Sequence, residues 1–218
     1  MKSKPNCTIP LAYLFDLDGT LIETEALWTA AAHKWMLSCG KDIDYATVNR
    51  WVLGRSWFAI CDDIFERFPD LRADPVELAK ITRAFYFKER AATDIRIHSS
   101  VELLRRLSKT TPCVIVSGSA REDIREAIDI MGVADCLKFY LGYEDYPRSK
   151  PDPICFLVAA ERLGVAPEEC VVFEDSASGI LSGKNAGMTV VALSRPCAVK
   201  QDTSLADVVL EDLNNFRI

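Results

Sequence analysis

Leu11-Ala12-Tyr13-Leu14-Phe15-Asp16-Leu17-Asp18-Gly19-Thr20-Leu21 reads as a buried strand that runs directly into two carboxylates. Residues 11–15 form an unbroken apolar run, the pattern of a strand covered on both faces. Asp16 and Asp18, two apart on an extended chain, point to the same side. In open α/β sheets, ligands gather beyond the carboxyl ends of the strands, where this pair would sit. Three plainer readings compete. Asp18-Gly19 as a hairpin turn needs a second strand behind it, whereas a helical pattern follows. A calcium loop needs glycine at its sixth position, and Gly19 is fourth counting from Asp16. A solvated surface pair fits poorly behind Leu14-Phe15. The stretch therefore points to phosphoryl-transfer chemistry on a parallel sheet.

Further along the chain, residues 113–116, 170–173 and 189–193 are short apolar runs of strand type, with weaker candidates at 139–141 and 208–210. Helical patterns separate most of them. Residues 122–131 end at Gly132, 152–163 at Gly164 and 178–186 at Gly187, glycine being the residue that accepts the left-handed helix end. Strands alternating with helices of about ten residues imply an α/β fold, a Rossmann-like parallel sheet with helices on both faces.

From about residue 23 to 92 the alternation stops. Helical patterns cover 23–38, 56–68 and 74–90, the last with Asp74 as N-cap and Pro75 in the first turn. All four tryptophans (Trp28, Trp35, Trp51 and Trp57) lie in this block. It reads as an all-helical domain, 23–92, inserted into a core made of 1–22 and 93–218.

The ends of the other strands also carry polar chemistry. Ser117-Gly118-Ser119 offers a hydroxyl and backbone N–H groups ahead of a helix, an arrangement able to hold phosphate oxygens or simply to cap that helix. Ser149-Lys150-Pro151-Asp152-Pro153 sets a lysine before a proline-started helix. Glu174-Asp175-Ser176 places acids at the end of another buried strand, or a capping cluster for the next helix.

In this order, and with a helical insert between the first and second, these four segments resemble the motifs of the haloacid dehalogenase superfamily, in its sugar-phosphatase and β-phosphoglucomutase-like branch. The likeness extends through Gly179-Ile180 and Ala186-Gly187-Met188. The resemblance implies that Asp16 is the nucleophile that becomes an aspartyl-phosphate and that Asp18 is the acid/base. It implies Mg2+ held by the Asp16 carboxylate, the Asp18 backbone carbonyl, Asp175 and waters, with Glu174 as ligand or support. Ser117, Gly118 and Lys150 would bind the phosphoryl oxygens, and the insert would be a cap. Arg55, with Trp28 and Trp57, is the cap's candidate for substrate contact, although the tryptophans could equally pack the cap's own core.

The chain departs from its branch at Ser149, where glycine usually precedes the lysine, and at Ile22-Glu23-Thr24-Glu25, which leads into the insert. Mutase members carry a cap histidine and a Lys-Gly pair; here the corresponding residues are Trp28 and Leu53-Gly54. His33 reads as a helix-face residue and His98 as a loop residue. The expectation is thus a Mg2+-dependent phosphatase of a small phosphomonoester, with a sugar-phosphate mutase as the alternative. A dehalogenase is disfavoured by Asp18, and so is a regulatory module that takes up phosphate without turnover.

Composition narrows the rest. Hydrophobic residues at 49% and charged residues at 27% are ordinary for a globular protein, which excludes disordered and fibrous classes. With 26 basic and 32 acidic residues the net charge is −6, so nucleic acid and anionic membranes are not expected partners. No apolar run approaches the ~20 residues of a membrane span. The segment Met1–Cys7 has no signal-peptide pattern, which makes the expected location cytoplasmic. Monomer and homodimer are both open. The eight cysteines lack Cys-x-x-Cys spacing and read as reduced, mostly buried thiols. Cys61 and Arg67 match a thiol-phosphatase spacing, but the acidic, glycine-free residues between them make no phosphate cradle.

Overall fold

Apolar strands covered on both faces need neighbours along both edges, and the first strand has them. The computed structural model describes residues 10–52, 57–196 and 200–217. The strands are β1 (Ala12–Phe15), β2 (Cys113–Val116), β3 (Tyr140–Leu141), β4 (Cys170–Glu174), β5 (Thr189–Leu193) and β6 (Val208–Leu210). They form one sheet in the order β3-β2-β1-β4-β5-β6, with every pairing parallel. Phe15 lies level with Ile115 on one side and Phe173 on the other, so Asp16, Val116 and Glu174 come next at one end of the sheet. The order reverses at β1, because the chain steps to β2 on one side and later to β4 on the other. Asp16 therefore stands at the topological switch point, where such sheets bind ligands.

Four helices belong to the sheet: α5 (His98–Leu107), α6 (Arg121–Met131), α7 (Ile154–Leu163) and α8 (Ala177–Asn185). Right-handed crossovers put the helices of leftward steps on one face and those of rightward steps on the other. α5 and α6 make leftward steps, α7 and α8 rightward ones. The packing agrees: Cys155, Phe156, Ala159 and Ala160 of α7 and Ile180 of α8 share a buried cluster with Leu14, Val114, Val172 and Val190. The alternate strand residues face the other way, where Phe15 stacks on Phe173 at 4.5 Å and Phe216 meets Phe173 edge-on at 5.0 Å. Gly132 and Gly164 end α6 and α7 with φ of 62° and 70°, the left-handed geometry that their position after an apolar pattern predicts.

The described residues divide into two compact units, those within 1–22 and 96–218 and those within 23–95. The second is all-helical, with α1 (Glu25–Ser38), α2 (Tyr45–Val52), α3 (Trp57–Arg67) and α4 (Pro75–Ala91). It has a core of its own, in which Trp35 and Met36 meet Val48, Ile64, Phe65 and Leu78, with Trp28 and Trp51 half-buried against them. Three of the tryptophans therefore pack within this unit. Trp28 stacks on Tyr86 at 4.3 Å. The side chain of Trp57 lies outside the described residues, as do Leu53, Gly54 and Arg55.

Two helices go beyond the sequence pattern. α2 was masked by its mixture of Asn49, Arg50 and Trp51, and becomes visible only through the burial of Val48 and Val52. His98 opens α5 and is not a loop residue. The buried face of that helix, Val101, Leu103, Leu104 and Leu107, outweighs the absence of a side-chain cap at Ile97. Cys61 is buried and its thiol is pushed up to about 11 by burial and by Asp62, so the Cys61/Arg67 spacing carries no thiolate chemistry. Among the described residues, no helix is long and apolar enough to cross a membrane.

The Asp74 carboxylate accepts the N–H groups of Val76 and Glu77 at 2.8 and 3.2 Å, capping α4 with Pro75 in its first turn. Replacing Asp74 by Ala removes both acceptors while changing no apolar contact. The expected cost is about 1 kcal/mol, read as a lower urea midpoint with an unchanged slope; an unaltered midpoint would show that the cap contributes nothing.

Candidate active site

Each predicted residue of the core except Lys150 comes from the carboxyl end of a strand or the turn just beyond it. Asp16 follows β1, and its N–H donates to the Phe173 carbonyl at 2.9 Å, so the ladder extends one residue and holds its backbone rigid. Glu174 is the last residue of β4 and is buried, as is Ser117 just after β2. Lys150 precedes α7, which reaches this end of the sheet from the other face.

The four converge. Lys150 Nζ donates to Asp16 Oδ1 at 2.6 Å, to Glu174 Oε1 at 2.7 Å and to the Val116 carbonyl at 3.1 Å. The ammonium thus ties together the ends of β1, β2 and β4. Burial works against the Lys150 charge, but the Asp16 and Glu174 carboxylates overcome it and hold the ammonium well above its ordinary value. The Asp16 carboxyl is pushed well up by burial, with Glu174 and Asp175 adding to the shift and Lys150 opposing it.

Asp16, Glu174 and Asp175 place one oxygen each within 4.8 Å of one another. Three carboxylates against one ammonium leave an excess of negative charge in a largely buried site. All the donors are hard oxygens. That donor set fits a divalent cation of the magnesium or calcium type, which would relieve the repulsion among the carboxylates. The Asp18 side chain stands outside this cluster, and its Oδ2 accepts the Ser119 hydroxyl at 2.6 Å.

The surrounding residues hold the carboxylates in place. Thr20 Oγ1 donates to Asp175 Oδ1 at 3.1 Å. Glu174 Oε2 accepts the N–H groups of Asp175 and Ser176 and the Ser176 hydroxyl, each at 2.9 Å, while Ser176 Oγ caps α8 through the Gly179 N–H. Two glycines make room. A Cβ on Gly19, whose φ is +83°, would lie 2.1 Å from Asp175 Oδ2, and one on Gly179 would lie 1.7 Å from Glu174 Oε1. Both carboxylates therefore rest directly against backbone.

On the β2 side, Ser117 Oγ accepts the Ser119 N–H at 3.0 Å, and Tyr146 donates its hydroxyl to the Ser117 carbonyl at 2.7 Å. Gly118 is exposed, with open space where a Cβ would be. Of the residues read from sequence, Asp16, Lys150, Glu174 and Asp175 are brought together and Asp18 and Ser117 flank them. Ser119, Thr20 and Tyr146 were legible as letters inside the motifs, but nothing in the sequence pairs them with Asp18, Asp175 or Ser117.

Comparison with known proteins agrees with this geometry. Residues 11–187 match the family model of the haloacid dehalogenase-like hydrolases. The chain is 30% identical over 211 residues to hexitol phosphatase B of Escherichia coli (strain K12), covering 94% of each. It is also 30% identical over 210 residues to the bifunctional riboflavin kinase/FMN phosphatase of Arabidopsis thaliana, with 94% of this chain matched but only 54% of that longer protein. A haloacid dehalogenase family hydrolase from Deinococcus radiodurans, solved with bound phosphate and sodium, superposes with a TM-score of 0.74 at 26% identity over 94% of this chain and 93% of that one. A six-stranded parallel sheet with its acids and lysine at the switch point, matched by a family model over most of its length, makes this chain a member of the haloacid dehalogenase-like hydrolases.

Proposed function

We propose that this protein is a Mg2+-dependent phosphatase that hydrolyses a small phosphomonoester, a sugar phosphate by preference, through an aspartyl-phosphate on Asp16. The observation that carries the reading is the Lys150 ammonium bonded to both Asp16 and Glu174 beside the Asp175 carboxylate. Several relatives of similar length are phosphatases by name, hexitol phosphatase B among them. Mg2+ is the ion we assign to the three carboxylates, with the Asp18 backbone carbonyl completing the protein ligands. When bound, it supplies Lewis-acid stabilisation of phosphoryl charge and lets Asp16 approach an anionic substrate.

In this reading, Lys150 holds one Asp16 oxygen and so orients the carboxylate for attack on phosphorus. A bond forms between Asp16 and phosphorus as the ester P–O bond breaks, and Asp18 gives its proton to the departing alkoxide. Asp18, now a carboxylate, takes a proton from a water molecule that attacks the phosphorus of the aspartyl-phosphate, which releases inorganic phosphate and restores Asp16. Ser117, the Gly118 N–H and Lys150 serve the equatorial oxygens. The helical unit, read as the family's cap, would select the substrate through Trp28, Arg55 and Trp57. Trp28 packs against Tyr86 and has no titratable proton, which favours a phosphatase over a mutase.

Three measurements test this. Hydrolysis of p-nitrophenyl phosphate should need Mg2+, stop with a chelator and vanish in Asp16→Asn; retention of a tenth of the activity in that variant would remove Asp16 as nucleophile. Asp18→Asn should keep its affinity for Mg2+ and lose roughly 10²–10⁴ in turnover. A parallel collapse of metal affinity would make the Asp18 side chain a ligand. Given β-glucose 1-phosphate, Mg2+ and a trace of the 1,6-bisphosphate, the protein should release inorganic phosphate well ahead of glucose 6-phosphate, whereas rapid glucose 6-phosphate with little phosphate would favour the mutase.

A further inference from the structure

We propose that Ser119 is a positioning residue for the acid/base carboxylate: its hydroxyl, donated to Asp18 Oδ2 at 2.6 Å, holds Asp18 in the orientation that transfers protons. This rests on the acid/base role of Asp18 given above and adds the group that enforces it. A carboxylate on a turn rotates broadly about its last torsion, and proton transfer demands a narrow range of it. A short bond from a hydroxyl to a carboxylate is of the strong, charge-assisted kind.

The first residues after a strand that lead into a helix usually spend their hydroxyls on the helix. Ser119 does not. The N-cap of α6 is Ala120, which makes no side-chain cap bond, and the Arg121 N–H is taken by the Glu144 carboxylate at 3.1 and 3.2 Å. With that capping task met from elsewhere, the Ser119 hydroxyl reaches Asp18, 101 residues away in sequence.

The Ser119 backbone is also held from two sides, which is what a positioning group needs. Its N–H donates to Ser117 Oγ at 3.0 Å and its carbonyl accepts the Tyr143 N–H at 3.2 Å. A Cβ on Gly142 would lie 2.9 Å from that carbonyl oxygen, so the turn after β3 presses against it. Asp145 secures that turn by accepting the Gly142 N–H at 2.9 Å and Arg121 Nη1 at 2.7 Å. The hydroxyl is thereby carried on a fixed strut between β2 and the turn after β3.

The test is pre-steady-state hydrolysis of p-nitrophenyl phosphate by the Mg2+-loaded protein. Its phenolate leaves without needing a proton, whereas the water step still needs Asp18. Ser119→Ala and the near-isosteric Ser119→Cys should show a burst of about one p-nitrophenolate per enzyme, then a steady state slowed about 10- to 100-fold, with KM lowered in proportion and kcat/KM unchanged. Ser119→Thr, which keeps the hydroxyl, should stay within about threefold of the parent, and guards against a variant that fails to fold. A raised KM at unchanged kcat, a burst slowed as much as the steady state, or a steady state unchanged in both variants would overturn the proposal. Asp18→Asn run in parallel separates the two levels: if it too leaves the steady state intact, the acid/base assignment itself falls, and if it alone slows, only the Ser119 inference does.

Discussion

A lysine ammonium with little access to water must be surrounded by acceptors, and Lys150 finds them in Asp16, Glu174 and the Val116 carbonyl. These acceptors end three adjacent strands, so one charge fixes the register of the site across the middle of the sheet. Breaking a buried pair by removing one partner usually costs about 3–5 kcal/mol, because the other charge is left uncompensated. Here it would leave two facing carboxylates with nothing between them. The geometry of this end of the sheet depends on this contact more than on any other.

The same crowding explains the glycines. Asp175 and Glu174 approach backbone so closely at Gly19 and Gly179 that a Cβ has no space. Gly19 must in addition adopt a left-handed φ of +83°. The acids are therefore packed against backbone as tightly as apolar side chains, which fixes their orientation. Preorganisation of this kind lowers the reorganisation that charge development would otherwise require.

Sequence and structure agree where a local rule governs. The glycine ends of α6 and α7, the Asp74 cap and the bounds of β2, β5 and β6 follow from propensity and pattern, because each rests on neighbours within one turn or one strand. α2 and α5 escaped because their apolar residues gain meaning only from what they pack against: Val48 and Val52 against the helical unit's core, and Leu103, Leu104 and Leu107 beneath the sheet unit. Trp28 could be read equally as a substrate contact or as core; it stacks on Tyr86 and lies half-buried against the helical unit's core.

By itself the sequence determined the parallel α/β architecture and pointed to a helical insertion and to Asp16, Asp18, Lys150, Glu174 and Asp175 as candidate site residues, since strand-end acids and a family's ordered motifs are legible as letters at fixed places. Tertiary structure alone decided which of these meet. Lys150 and Asp16 are 134 residues apart, Thr20 and Asp175 155, and Ser119 and Asp18 101. No rule of spacing sets such distances. Parallel pairing brings the strand ends to one edge, and burial then forces each polar group there to find its partner.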